Sequence, residues 1–513
     1  MSEKAYLQLC ATKEDFLRET IFHLTLDGCF ETIKRANPQE YGVDESKCVV
    51  EELVTHRCGL LWRHDTTQQF LHNLDGTLYS HQQELAIYTT QHRISILRTM
   101  GPSFQKPLAL ALHNQGFNLN SLGQCVEAVE VAEEAARLLY ILFDADPEAY
   151  RANLSSSLYN LGIFRSNLKR WQGAADVMGQ AVKLRQVLFD ADPETYRSSL
   201  SNYLHSLGYY RAELKQWQGA SEITDQAVKL RQVLFAADPE THRSNLSKSL
   251  HSLGYYLSEL KQWESAVEAM IQAVALRQVL FDADQENYRS LLSNSLYDLA
   301  TYYSKLEQWT AASQVMERAV IIREVLYASA PHTHSSDLAE ALHFLEFFQL
   351  EAGEQSGAAK TLGRIKELQD ILVTSDSNAQ RVALASPGNE LAWFLRESKR
   401  PQQGLKYVLD AVNIIRAAPS PNELEVIDCL SGLLDTAAAC LHDADHSAEA
   451  LAYSEESVAL ARSSVQRAPS NSSYRINLLK VMETYSNILK TLGQAQSAEE
   501  VFGEMKDIRM QEP

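Results

Sequence analysis

Residues 192–237 read DPETYRSSLSNYLHSLGYYRAELKQWQGASEITDQAVKLRQVLFAA, and this stretch recurs along the chain with a period of 46 residues. One tryptophan marks each copy, at Trp171, Trp217, Trp263 and Trp309. The hexapeptide Leu-Arg-Gln-Val-Leu-Phe occurs three times at the same spacing, ending at Phe189, Phe235 and Phe281. A fixed period of this length indicates a repeat architecture in which each copy is one supersecondary unit.

A second ladder, made of small residues, shows how far the repeat extends. Its members are Ala128, Ala174, Ala220, Ala266, Ala312, Ala358, Gly404, Ala450 and Ala498. Every step is 46 residues except the last, which is 48, and we predict the insertion in the loop at residues 470–473. This gives nine copies, and Ala86 indicates a tenth around residues 55–100. A small residue at a fixed position predicts a close helix crossing, where a larger side chain would separate the backbones.

Each copy is predicted to form two helices. The first begins at Asp-Pro-Glu, as at residues 192–194, because Asp caps free N–H groups, Pro suits the first helical position and Glu favours the positive end of the helix dipole. Apolar residues then follow helical spacing at Leu200, Leu204 and Leu207, and the second helix runs from Trp217 to about Phe235. One hairpin cannot bury its apolar faces alone, so the sequence predicts an all-α fold, an α-solenoid of stacked antiparallel hairpins.

We predict three regions along the chain. Residues 1–54 show no repeat and are expected to form an N-terminal helical cap. Residues 55–372 are expected to form the repeat array, with a regular core at 106–330, and residues 373–513 a set of degenerate C-terminal repeats. The polar or Pro-containing segments 374–388 and 417–422 are predicted to be loops.

The composition excludes several classes of function. The chain of 513 residues has 47 Lys and Arg against 66 Asp and Glu, a net charge of −19, which disfavours nucleic acid as a partner. The sequence has no long uncharged apolar run of the kind that crosses a membrane. Its seven scattered cysteines are typical of reduced thiols, so we expect a cytoplasmic protein. No spaced set of nucleophile, base and orienting group occurs, so we expect no enzyme activity, no cofactor and no small-molecule substrate.

The repeat resembles the tetratricopeptide family, whose signature pairs a Leu-Gly step with a later Ala-x3-Phe. The matching segments are Leu158-x2-Leu161-Gly162, Leu204-x2-Leu207-Gly208 and Leu250-x2-Leu253-Gly254, followed by Ala174-x3-Met178 and Ala266-x3-Met270. The 46-residue period, in place of 34, is similar to that of kinesin-light-chain arrays and of arrays attached to NACHT-type ATPases or CHAT-type proteases. Leu replaces the usual Trp, and Arg165 and Arg211 stand where Tyr is usual.

The resemblance implies that first helices line a concave surface that binds a peptide or protein partner. Counted from the Leu-Gly pair, the first row of this surface is Phe117, Ile163, Tyr209, Tyr255 and Thr301. The second row is His113, Tyr159, His205, His251 and Tyr297, with Asn202, Lys248 and Asn294 one turn earlier. These aromatic and hydrogen-bonding residues suit a peptide-binding hot spot, but they could equally cover the hairpin packing. The acidic total favours a basic or hydrophobic peptide.

The sequence leaves other interpretations open. An alternative function is a regulatory arm of a NACHT-type signalling ATPase, although the phosphate-binding motif G-x-x-x-x-G-K-[ST] does not occur in this sequence. Cys48, His56, Cys58 and His64 could suggest zinc, but their spacing matches no familiar finger, so we expect ordinary packing and no metal. Titration of His113, His205 and His251 could make binding sensitive to pH.

Overall fold

A computed structural model describes residues 90–91, 94–95, 97–98, 104–373, 378–418 and 420–510. Helices account for nearly all of these residues, and no strand occurs among them. In chain order the helices are α1 Gln105–Ser121, α2 Cys125–Ala145, α3 Pro147–Asn167, α4 Trp171–Ala191, α5 Pro193–Glu213, α6 Trp217–Ala237, α7 Pro239–Glu259, α8 Trp263–Ala283, α9 Gln285–Lys305, α10 Trp309–Ser329, α11 Pro331–Glu351, α12 Gln355–Val373, α13 Asn378–Glu397, α14 Pro401–Arg416, α15 Leu424–Asp443, α16 Ser447–Arg467, α17 Ser472–Thr491 and α18 Ala495–Met510. The predicted all-α class is confirmed.

The chain forms two compact units, one ending at His242 and the other beginning at Arg243. Within each unit, helices that are neighbours in sequence pack against one another, so odd-numbered first helices alternate with even-numbered second helices. The apolar interior of the first unit runs through successive hairpins, from Ala109 to Tyr210. This is the arrangement expected of an α-solenoid, because each hairpin completes the core of its neighbour.

Aspartate caps open the regular first helices, as predicted. The Asp146, Asp192 and Asp284 carboxylates accept hydrogen bonds from backbone N–H groups three residues later, at 3.1, 3.2 and 3.2 Å. The hydrogen bonds from Thr195 and Asn287 lower the pKa of Asp192 and Asp284, respectively. These carboxylates therefore act as N-terminal caps of the first helices.

The hairpin turns share a backbone feature that the sequence analysis missed. One residue in each turn has a left-handed conformation with φ between 56° and 77°. Glycine occupies this position three times, and other residues occupy it six times: Gly123, Lys169, Lys215, Lys261, Glu307, Gly353, Lys399, Asp445 and Gly493. Glycine adopts this conformation without strain, whereas other residues are disfavoured there. The last step, from Asp445 to Gly493, is 48 residues, and the connection 468–471 before α17 accounts for the insertion. The loop predicted at 470–473 is right for residues 470 and 471 only, because residues 472 and 473 begin α17.

The small-residue ladder lies at a close helix crossing. Ala128, Ala174, Ala220 and Ala266 are fully buried on second helices. A methyl group added to the facing glycine would lie 3.3 to 3.5 Å from the ladder residue's carbonyl oxygen, as at Gly162, Gly208 and Gly254. The predicted contact is therefore confirmed, and it explains the Leu-Gly pair: glycine lets the first helix approach the second.

Tryptophan joins successive copies. Trp171, at the start of α4, packs against Tyr210 of α5 with ring centroids 6.3 Å apart. Trp263 and Trp309 make the same kind of contact with Tyr302 and Phe348, both at 6.3 Å. The tryptophans recur every 46 residues because each one joins a second helix to the first helix of the next copy.

One predicted loop is wrong. Residues 378–388 belong to α13, although Pro387 lies inside this helix. Leu384, Ala385 and Leu391 are buried, so the apolar face of α13 offsets the helix-breaking effect of proline, about 3 kcal/mol. Residues 374–377 and 419 lie outside the described residues, while residues 417–418 and 420–422 lack a helix, as predicted.

Other predictions concern the N-terminal residues and the division of the array. The N-terminal cap at 1–54 and the possible zinc residues Cys48, His56, Cys58 and His64 lie outside the described residues. The division at residue 372 stays a prediction, since helical pairs occur on both sides of it. None of the helices in the described part of the chain is long and apolar enough to cross a membrane.

Candidate functional site

The first predicted row is the most exposed set of aromatic side chains on the first helices. In the first unit, Phe117 on α1 and Tyr209 on α5 are 45% and 43% exposed, and Ile163 between them is partly buried. The Tyr209 ring also meets Trp171 edge-on, with centroids 5.9 Å apart. Partial burial, with the nearby Glu213 carboxylate, raises the pKa of the Tyr209 phenol. The row therefore combines a packed edge with an accessible face.

In the first unit the second row is more deeply set. The Tyr159 ring stacks on Tyr203 of the next first helix, with centroids 4.2 Å apart and planes inclined by 11°. His113 Nε2 lies 3.2 Å from Asn160 Nδ2, and burial lowers the pKa of this histidine. His205 is partly buried as well. These side chains join adjacent first helices.

In the second unit the two rows differ in the same way. Tyr255 is 44% exposed, and Thr301 is partly buried. His251 Nε2 lies 3.7 Å from Asp298 Oδ2, and burial together with the Arg277 charge lowers the pKa of His251 to about 4. The Tyr297 hydroxyl donates a 2.7 Å hydrogen bond to Glu340. Lys248 and Asn294, one turn earlier, are exposed.

Beneath these rows runs a buried arginine ladder that the sequence analysis missed. Its members are Arg185, Arg231, Arg277 and Arg323, all buried and 46 residues apart. Arg185 Nη2 donates hydrogen bonds to Ser156 Oγ at 2.8 Å and to the Tyr203 hydroxyl at 2.6 Å, while Arg231 Nη2 donates to Asn202 Oδ1 at 2.8 Å. Burial lowers the pKa of Arg231 and Arg277 to about 10. A buried guanidinium needs such partners, because charge is costly to remove from water.

In the second unit the ladder faces partly buried carboxylates. Arg323 Nη1 lies 3.8 Å from Glu340 Oε2 and donates to the Asp337 carbonyl oxygen at 2.6 Å. Burial raises the pKa of Asp298 to about 6, opposed by the Arg323 and Arg277 charges. Burial also raises the pKa of Glu340, whereas the Tyr297 hydrogen bond lowers it. The second row is therefore polar at its base.

A cleft lies in the second unit. Two adjoining cavities, of about 740 and 460 Å³, lie between the first helices α7, α9 and α11 and the C-terminal half of α13. Both are lined by Ser258, Glu259, Trp263, Lys305, Phe394 and Glu397. The larger cavity also reaches Trp309, Phe347 and Arg400, and the smaller reaches Tyr255, Tyr297 and Trp393. Aromatic rings and charged groups thus alternate around it.

A lysine of the chain itself occupies one wall of this cleft. The Lys305 ammonium lies 3.9 Å from the centroid of the Phe394 ring, 3.7 Å from Glu397 Oε2 and 3.5 Å from Ser398 Oγ. Burial lowers the pKa of Lys305, and Glu397 opposes this shift. In this wall, an aromatic ring face and a carboxylate bind the same cation.

Residues 246–286 and 292–334 match the family model described as tetratricopeptide repeat. The two segments are consecutive copies of the 46-residue unit, and the copies around them have the same helix pairs and turns. These two segments are tetratricopeptide repeats. The chain matches no curated protein.

Several solved structures are similar to parts of this chain. BtubC (BKLC) of P. vanneervenii is 18% identical, with a TM-score of 0.35, over 47% of this chain and 90% of that chain. A kinesin-light-chain-type protein of Podosopora anserina with nearly identical TPR-like repeats is 19% identical, with a TM-score of 0.34, over 43% and 99%. Aspartyl phosphate phosphatase F of Bacillus subtilis is 15% identical, with a TM-score of 0.38, over 76% and 92%. These likenesses are too distant to transfer a function.

The tetratricopeptide array brings some predicted site residues together and leaves others apart. Tyr255 and Tyr297 line the smaller cavity, whereas Lys248, His251 and Asn294 do not. Sequence reasoning missed Trp393 and Phe394, because the predicted loop 374–388 covers the first half of α13, and it missed Lys305, because the contact with Phe394 joins residues far apart in sequence. The arginine ladder could have been found, since Leu-Arg-Gln-Val-Leu-Phe places a charged residue at the same point of an otherwise apolar second helix.

Within the described residues, no cluster of three or more histidine, cysteine or acidic side chains could hold a metal ion.

Proposed function

We propose that this chain is a non-catalytic scaffold that binds a protein or peptide partner on the exposed face of its first helices. A tetratricopeptide fold is typical of protein–protein interaction. The observation that supports a site on this face is the recurrent exposure of one aromatic position, at Phe117, Tyr209 and Tyr255.

Adjacent tyrosines support the proposal that this exposure serves binding. Tyr210 and Tyr256 are each 3% exposed and serve the core, while Tyr209 and Tyr255 directly precede them and leave more than two fifths of their surface accessible. Large aromatic side chains that stay accessible at a repeated position are the usual anchors of an interface, since they offer apolar area with a polar tip.

The charge of the molecule favours a particular kind of partner. With a net charge of −19, the chain repels acidic ligands at long range and attracts basic ones. A basic or apolar segment of a cytoplasmic protein therefore fits the scaffold best.

The experiment compares two double variants in partner capture. Tyr209→Ala with Tyr255→Ala should raise the Kd of the captured partner at least about tenfold, because truncating an aromatic anchor typically costs 1–2 kcal/mol or more. Val187→Ala with Val233→Ala is the matched control, since both valines are about half exposed on second helices. Proteins retained by the parent and by the control variant are identified by mass spectrometry, then measured as purified binders.

Thermal unfolding followed by circular dichroism distinguishes the two interpretations of the tyrosines. We expect the tyrosine variant to keep its helicity and melting temperature. A large loss of stability would show that these rings serve the core, and unchanged binding by a folded variant would remove the first row from the interface.

A further inference from the structure

The walls of the cleft in the second unit repeat one local arrangement: a cation over an aromatic ring beside a carboxylate. Lys305 lies over Phe394 beside Glu397. Arg400 lies 5.3 Å from the centroid of Phe347, and its Nη2 is 2.7 Å from Glu351 Oε1. The chain's own cations therefore show what this surface can bind.

The cleft also has indole rings with no cation over them and carboxylates with no ion-pair partner among the described residues. Trp263 and Trp309 line the larger cavity together with Glu259 and Glu307, and Glu390 lines the smaller one. None of these three carboxylates forms an ion pair in the part of the chain that the structure describes. With Lys305 and Arg400 already paired, Lys261 is the one lining cation left to offset them. The cleft thus has an excess of negative charge.

From this imbalance we infer that the cleft binds an arginine side chain of the protein partner, an inference that rests on the proposed function. A guanidinium is planar, so it stacks on indole and phenyl faces, and its fork of N–H groups matches a carboxylate. An ammonium group is compact and strongly hydrated, so it would use less of a recess of several hundred cubic ångströms. Nothing in the cleft favours an acidic ligand, because the exposed carboxylates outnumber the unpaired cation.

The first measurement titrates the full chain with two capped peptides that differ at one kind of residue. One carries two arginines, and the other carries citrulline, the uncharged isostere, at both positions. We expect the arginine peptide to bind about tenfold more tightly, the combined effect of a cation–ring contact and a charge-assisted hydrogen bond. Quenching of tryptophan fluorescence, checked by calorimetry, reports binding because Trp263, Trp309 and Trp393 line the cleft.

A pair of variants places the site. Glu259→Gln with Glu390→Gln should remove most of the preference for arginine, and both residues are exposed, so the fold should be kept. Glu264→Gln with Glu268→Gln changes the charge of the same unit equally at exposed positions of α8 outside the cleft, and should keep the preference.

Each remaining outcome contradicts the inference. Equal affinity for the arginine and citrulline peptides, or no binding of either, would overturn it, as would an undiminished preference in Glu259→Gln with Glu390→Gln. None of these results affects partner capture through Tyr209 and Tyr255, which tests the proposed function separately.

Discussion

Replacing Ala220 with leucine tests the crossing on which the hairpin is built. Ala220 on α6 is fully buried. Across from it, a methyl group on Gly208 of α5 would already lie 3.3 Å from the Ala220 carbonyl oxygen. The two backbones are thus in contact without side chains between them, and leucine would add three carbon atoms where no space exists. We expect the free energy of unfolding to fall by about 1–3 kcal/mol, the usual result of overpacking a tight core.

Equilibrium unfolding in urea, followed by circular dichroism, measures this change as a lower midpoint at an unchanged slope. Ala220→Ser adds one oxygen atom and should have a smaller effect. Gln226→Leu places the same leucine at an exposed position of α6 and should change stability by less than about 0.5 kcal/mol. A midpoint for Ala220→Leu equal to that of the parent would refute the close crossing.

Two further predictions concern the second unit. Gly353→Ala should lower the free energy of unfolding by about 1 kcal/mol, because the φ angle of Gly353 is +76°. The control Gly363→Ala, inside helix α12, should raise the free energy of unfolding. A higher melting temperature for Gly353→Ala would contradict this account of the turn. Burial lowers the pKa of His343 to about 4 from its ordinary 6.5, so the unfolded chain binds a proton that the folded chain excludes, and stability falls as the pH drops from about 6.5 to 4. His343→Phe should remove on the order of 1–3 kcal/mol of that fall, and identical pH profiles of stability for parent and variant would rule out the contribution.

The sequence predicts those features of the hairpin that depend on interactions between residues of the same copy. Asp192 caps its helix, Trp217 begins the next one, and Ala220 lies at the crossing, because capping, helix propensity and close packing act within a single hairpin. The prediction is wrong at α13, where Pro387 indicates a loop. Burial of residues such as Leu391 decides that helix, and burial depends on neighbours that a local pattern does not identify.

The candidate site was harder to predict for the same reason. Tyr209 and Tyr210 look alike in the sequence, yet one is exposed and the other buried, as expected from the 100° turn between successive helical residues. The cleft was missed because it is formed by side chains from several helices. Lys305 and Phe394 are far apart in sequence, and their contact follows from the packing of α13 against α11 within the second unit.

Comparison of the copies separates residues that maintain the array from residues that are free to change. The crossing position is alanine in five successive regular copies, at Ala128, Ala174, Ala220, Ala266 and Ala312. The first-row position differs among the matching copies, as Phe117, Ile163, Tyr209, Tyr255 and Thr301. Packing accepts only a small side chain at the crossing, since both backbones are in contact there. At the first row, packing accepts aromatic, aliphatic and polar side chains alike, so the fold does not require three exposed aromatic rings. Under the proposed function, a partner that contacts those rings would supply the reason, and the Tyr209 and Tyr255 variant therefore tests the function separately from the fold.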